Sequence, residues 1–507
     1  MLRAALFLAG LLCLLPMPGR AEGEVVNYES FGAKGDGVTD DLPAIVKAHA
    51  HANEKGLPVR SKPGAIYHLG TRALTAVICT DTDWGTSRFI IDDSKGVENS
   101  GKAIFEVRSK LPWIPLKIDK LRRGQESVPV KLERECLVYV ENKDRRLFIR
   151  RGLNQNSGSP QKEVFLLDRD GRIEGAIEWD YERITTLNAM PLDDSTLHLR
   201  GGIFTHIANR ADPAKEYGYW ARNIVIRRSR TVVDGVTQKV TGEGATGLPY
   251  GGFLSANRCA RVMFRNCVID GRKVYIKPSG AAGKPVPMGT YGYSAGLVVD
   301  FRMIGCRMGN DIHDRSRWGI VATNFMKNIL LEDCTLSRMD VHQGVSGNYV
   351  IRRSTIGHAG INAIGRGNLI VEDSTIHARN LVAFRGDYGS TWDGTVTIRR
   401  CRWLPPGAGD PVPVMFGMGN DGKHDFGYPC SMPSEILIDR LTVDDSKLKG
   451  GKGCLIFDRP LAGGGKDSPF PYRPTRRVEI RGLQTSSGLP PRLSNDEALN
   501  RMVEWVK

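Results

Sequence analysis

Asn328-Ile-Leu-Leu-Glu-Asp-Cys-Thr-Leu-Ser, Asn348-Tyr-Val-Ile-Arg-Arg-Ser-Thr-Ile-Gly and Asn368-Leu-Ile-Val-Glu-Asp-Ser-Thr-Ile-His are one pattern written three times, twenty residues apart. Looser copies begin at Asn223, Arg261, Asp300 and Thr395. A strand-like segment recurring at such a period marks a solenoid. The second and fourth residues of most copies are apolar (Ile329, Leu331; Tyr349, Ile351; Leu369, Val371; Val396, Ile398), so alternate side chains point inward. The seventh is Cys or Ser, small enough to stack inside a tight corner. The fifth and sixth alternate in sign: Glu332-Asp333, Arg352-Arg353, Glu372-Asp373, Arg399-Arg400. Parallel strands stacked ~4.8 Å apart would set acid against base at every step, each opposite pair contributing ~0.2–1 kcal/mol. The pattern predicts an all-β chain built as a parallel β-helix.

Four regions follow. Residues 1–21 read as a secretory leader: Arg3, an apolar run from Ala4 to Leu15, then a Pro/Gly break before Ala21. Residues 22–111 make the N-terminal cap and first coils, 112–200 an inserted β-rich region, and 201–507 the main β-helix with a C-terminal cap. Residues 495–506 read as a short helix in that cap. After the leader no apolar run is long enough to span a bilayer, so the expectation is a secreted or periplasmic bacterial protein, monomeric and not inserted in a membrane. Once Cys13 leaves with the leader, an odd number of cysteines remains, which argues against a full disulfide framework. Cys267, Cys306, Cys334 and Cys401 fall at the seventh repeat position and read as packing thiols. The net charge of +15 favours a polyanionic partner. For an exported chain that partner is an acidic polysaccharide rather than nucleic acid.

The stretch Phe31-Gly-Ala-Lys-Gly-Asp-Gly-Val-Thr-Asp-Asp41, followed by an amphipathic segment near residues 42–53, resembles the N-terminal cap of the pectate-lyase-like right-handed β-helix superfamily. The resemblance implies a loop and helix covering the first coil, because an open solenoid end exposes unpaired backbone. Asp36, Asp40 and Asp41 are therefore read as loop caps before they are read as metal ligands.

Reactive side chains gather between the repeats, in 311–318, 338–343, 358–362 and 385–392. Counting from each repeat's first residue puts Asp340 beside Gly360 and His342 beside Asn362, with Arg317 and Arg385 on coils to either side. β-Elimination from a uronic acid needs such a set. The C5 proton becomes labile once the neighbouring carboxylate is neutralised, a base removes it, and an acid protonates the leaving C4 oxygen. The catalytic candidates are His342 as base, Asn362 with Arg317 or Arg385 on the carboxylate, and Tyr388 as acid. His313, Trp318, Asp340, His358 and Trp392 are candidates for substrate binding, the tryptophans as flat faces for sugar rings. Taken singly, His342 or Asn362 reads equally well as a rung of a structural ladder, and Arg385-Gly-Asp-Tyr as a salt-bridged turn.

Residues 201–209, 337–345 and 385–392 together resemble exported β-helix lyases acting on hyaluronan and chondroitin, such as polysaccharide lyase family 29. That resemblance implies elimination from a glycosaminoglycan. Two other readings stay open: a glycoside hydrolase on the same fold, using acids among Asp311, Asp314, Asp340, Asp387 and Asp393, and a non-catalytic polysaccharide-binding protein. No dedicated metal site is expected; calcium held by Asp340 or Asp387 is the one cofactor left open.

Overall fold

The computed structural model describes residues 24–318, 321–406, 412–446, 453–457 and 468–506. The leader expected over 1–21 lies outside these. The chain winds as a right-handed parallel β-helix of three sheets. The repeat forms the first sheet, where Phe301, Ile329, Tyr349, Leu369, Val396, Ile436 and Val478 are successive partners in one inward column. The second sheet is narrow, carrying 335–336, 355–356 and 375–376. The third carries 321–324, 339–343, 360–362 and 382–383. The Asn223 copy departs from the expectation. Ile224–Ile226 pairs with 105–107 and 254–256 in the third sheet, and that coil's first-sheet strand is Thr231–Asp234. The same apolar alternation serves any wall of the solenoid, so sequence likeness alone does not say which.

The corner between the first and second sheets explains the repeat's sixth and seventh residues. Asp333, Arg353, Asp373 and Arg400 hold φ of 53°, 47°, 49° and 50°, the left-handed conformation that turns the chain sharply. The next side chain then points inward. Cys306, Cys334 and Cys401 each donate Sγ–H to a carbonyl of the coil below, Phe264, Met303 and Val371, while Ser354 and Ser374 accept from the backbone N–H of Cys334 and Ser354. Outside, Arg352 meets Glu332 at 2.8 Å, Arg353 meets Asp333 at 2.9 Å, and Arg400 meets Asp373 at 2.6 Å. The sign alternation thus holds from Glu332-Asp333 to Arg399-Arg400.

At the N-terminal end, helix Leu42–Lys55 lays Leu42, Ile45, Ala48 and Ala52 over the first coil. Asp41 accepts from the N–H groups of Lys34 and Gly35, Asp36 from Val38 and Thr39, and Asp40 from Gly70, so all three close loops. At the other end the helix is shorter than expected: Glu497–Met502, capped by the Asp496 side chain. Glu504–Val506 leaves it as a strand against 477–479, closing the first sheet's open edge.

Between Phe105–Val107 and Leu197–Ile207 the chain leaves the solenoid and forms a five-stranded sheet of antiparallel pairs spanning Ile114–Pro115 to Thr186–Pro191. Its strands alternate as a two-sided sheet must. Val138, Val140, Phe165 and Leu167 face the insertion's own core, while Leu137, Tyr139, Val164 and Leu166 pack on Ala260, Leu297 and Val299 of the solenoid. Leu197–Ile207 runs within the solenoid, beside Thr82–Asp92 and Thr231–Asp234.

A buried ionic cluster ties the two bodies. Lys327 Nζ lies 3.7 Å from both Glu163 and Glu178, and Arg366 lies 3.4 Å from Glu178. Burial pushes the Glu163 carboxyl up to about 7, against the pull of Lys327. A raised acid keeps its proton in the folded state after the unfolded chain has lost it, so its contribution to stability declines as pH rises from 4.5 to about 7. The expected slope is at most ~1.4 kcal/mol per pH unit. Thermal melts across that window should show it in the wild type and a flatter profile in Glu163→Gln; identical profiles would refute the assignment.

Candidate active site

The outer face of the third sheet carries the chemistry. Met339 and Val341 turn inward, so Asp340 between them points outward. It is nonetheless wholly covered. Four side chains close over it. Tyr291 donates its hydroxyl to Asp340 Oδ2 at 2.7 Å, and His342 Nε2 approaches the same oxygen at 2.7 Å. An Arg338 guanidinium nitrogen lies 2.9 Å from Oδ2, and Arg385 donates to Oδ1 at 2.9 Å. The Tyr291 oxygen is also 2.9 Å from His342 Nε2.

These contacts fix protonation. Burial alone would raise the Asp340 carboxyl, but Arg338, the His342 hydrogen bond and Arg385 hold it well below the ordinary carboxylate range. An ionised carboxylate only accepts, so His342 carries its proton on Nε2. Nδ1 has no hydrogen-bond partner among the described residues. The His342 side chain is 31% exposed, which leaves the ring reachable. Burial pushes the Tyr291 phenol far above its usual range, with Asp340 adding to it, so Tyr291 stays protonated. The result is an imidazole of fixed tautomer, backed by a carboxylate and flanked by a phenol and two guanidinium groups.

The inserted region forms one wall. Arg150 donates to Asp387 at 2.8 Å, Asp387 accepts from Arg385 at 2.8 Å, and Arg385 reaches Asp340. The Arg151 N–H donates to the Asp387 carbonyl, and Gln343 donates to the Ser159 hydroxyl at 2.7 Å. A chain of alternating charge therefore runs from the insertion to the centre. Asp340 and Asp387 are each saturated by cationic partners, which leaves neither as a calcium ligand. Among the described residues no group of three or more His, Cys, Asp or Glu side chains is placed to hold a metal ion.

Of the residues singled out in the sequence, His342, Asp340 and Arg385 come together. Asn362 lies one coil on, but backbone-paired with Asp340 rather than beside His342. The segment 357–359 is two residues longer than its counterpart on the preceding coil, and the register recovers by Gly365, which pairs with Val345. Asn362 itself donates to the Ala359 carbonyl. Tyr388 is buried, its ring lying under the guanidinium groups of Arg150 and Arg385, each 5.5 Å from the centroid. Tyr291, which the sequence reading passed over, takes the place beside His342. Arg317 stands apart, bound to Glu243, Asp314 and the Gly271 carbonyl. Trp318 packs beneath the centre, 5.6 Å from the Arg338 guanidinium. Trp392 is fully buried and donates to the carbonyls of Gly367 and Thr395, so it is core and offers no sugar platform. His313 and His358 line a separate pocket. In the segment 201–209, His206 is buried between Asp93 and Arg272.

No family model matches the chain. A capsule KL64-specific depolymerase of Klebsiella phage P510 is 31% identical over 93 residues, 16% of this chain and 9% of the relative, so the match spans less than a tenth of that protein's length. Among solved structures, the tailspike protein gp49 of Pseudomonas phage LKA1 is similar with a TM-score of 0.56 at 13% identity, over 92% of this chain and 82% of that one. The Gp54 tailspike of Acinetobacter baumannii bacteriophage AP22, solved with a capsular saccharide, gives a TM-score of 0.49 at 9% identity over 93% of this chain and 77% of that one. The gp49 likeness establishes the fold.

Proposed function

We propose that this protein is an exported enzyme that cleaves an acidic, uronate-containing polysaccharide by β-elimination on the outer face of its third sheet. The observation that carries the reading is the unpartnered Nδ1 of His342, held in one tautomer by Asp340. In the reaction Nδ1 takes the C5 proton, the C–H electron pair becomes the C4=C5 double bond, and the C4–O bond breaks. The departing oxygen takes a proton from Tyr291, the protonated acid at hand. Neither water nor a redox partner is consumed.

Arg338, Arg385 and Arg150 against Asp340 and Asp387 leave a surplus of positive charge, which suits a carboxylate substrate and stabilises the enolate that forms at C5. The capsule depolymerase likeness supports a polysaccharide as substrate. Hyaluronan or chondroitin, the sequence expectation, is one acidic polymer to try beside bacterial capsules.

An ultraviolet product scan decides the mechanism. Elimination produces an unsaturated uronate with its own absorbance band; hydrolysis releases reducing ends without it. The band should appear with uronate polymers and not with dextran. Turnover should fall as salt rises, because exposed charge attraction is screened over ~8–10 Å. Reducing ends without the band, or equal turnover of dextran, would overturn the proposal.

A further inference from the structure

Three of the chain's ten histidines face one cavity of about 290 Å³, lined also by Arg315, Leu404, Pro405, Pro406 and Asp444. His313 and His377 meet edge to face, their centroids 4.8 Å apart. The walls are rungs of the solenoid. The N–H of His377 donates to Ile356, that of Leu404 to Ile376, and that of Asp444 to Trp403, each reaching back to the coil before. His358 belongs to the longer segment that shifts the register next to Asp340, and its N–H donates to Ile312, which pins the 311–318 loop. Such irregularities cluster beside active sites because they re-aim side chains. His358 Nε2 is buried without a hydrogen-bond partner, a cost that a bound polar group would remove. Burial lowers the pKa of its imidazole.

The donor set is imidazole and guanidinium rather than a carboxylate cage. One wall, Leu404 with the two prolines, is apolar and suits the C–H face of a pyranose. His358 lies on the same strand as Asn362, which pairs with Asp340.

Building on the polysaccharide reading above, we propose that this pocket is a second subsite, holding an acidic sugar unit with its carboxylate toward Arg315 and the imidazoles and its ring against Leu404, Pro405 and Pro406. The test uses the full chain labelled with ¹⁵N-histidine, following imidazole resonances during titration with sodium glucuronate, glucose and inorganic phosphate. Glucuronate should move the His313, His358 and His377 signals saturably, and glucose should not. Arg315→Ala, an exposed position, should raise the glucuronate concentration needed by about tenfold, the loss of one charge-assisted hydrogen bond. His358→Gln, which keeps a polar side chain, should weaken the response at His313 and His377. Absence of saturable shifts, phosphate acting as well as glucuronate (an adventitious ion only), or an Arg315→Ala variant that titrates like wild type would each overturn the proposal. Because the readout is binding, it stays separate from elimination: glucuronate shifts without any unsaturated product would retain the subsite and refute the lyase chemistry.

Discussion

His342→Ala is expected to reduce elimination by about 10²–10⁴-fold, the usual contribution of a positioned base, while the fold stays intact. The imidazole's one bonded nitrogen contributes a hydrogen bond to Asp340 worth on the order of 1 kcal/mol net, and Arg338, Arg385 and Tyr291 remain to hold that carboxylate. Melting temperature should therefore fall only slightly. A rung of a structural ladder would behave in the opposite way, melting several degrees lower and sparing the rate of the folded fraction. Measuring rate and melting temperature on the same variant separates the two. Tyr291→Phe should also lose rate, whereas Tyr388→Phe should lose little, since only Tyr291 touches the imidazole.

Asp340→Asn should strike both quantities at once. It removes the one anion between Arg338 and Arg385, and stranding a buried charge in this way costs ~3–5 kcal/mol. The amide would also no longer dictate which His342 nitrogen carries the proton. Denaturant melts should show the loss of stability, and the fraction that remains folded should turn over far more slowly. In the wild type the carboxyl's depressed pKa means that its stabilisation is in place above 3.8 and is lost only as pH falls well below it. The centre should hold through mild acid. An Asp340→Asn protein with unchanged stability would mean that the guanidinium groups find other partners, and the charge chain to Arg150 would lose its meaning.

The sequence exposed the fold through its most regular part. Twenty-residue spacing, inward Ile329, Tyr349 and Leu369, and the Cys or Ser of the corner all follow from one geometric unit, so counting sufficed. The site was legible only where counting still held. Asp340, His342 and Arg385 emerged from repeat offsets, but the longer 357–359 segment broke the count and displaced Asn362. Tyr291 stayed hidden because it sits in the long stretch between coils, where no period says which rung it will meet. Trp392 misled because an indole reads equally as a sugar platform or as core, and here its ring is fully buried. Arg150 could not be foreseen, since its partner Asp387 is distant in sequence and the two meet only because the insertion folds back on the solenoid.

The external charges give the solenoid a parity. Along the stack Glu332, Arg352, Glu372, Arg399, Asp439 and Arg481 occupy successive rungs of one column. Excising a single coil, residues 348–367, would set Glu332 against Glu372 and Asp333 against Asp373. Excising two would restore acid against base. A protein of this design can thus shorten or lengthen cheaply only by even numbers of coils. The same arithmetic polices folding: a chain that winds with one coil skipped meets repulsion at the junction where the coil is missing, so the surface carries an error check that the apolar interior, nearly alike from coil to coil, cannot supply.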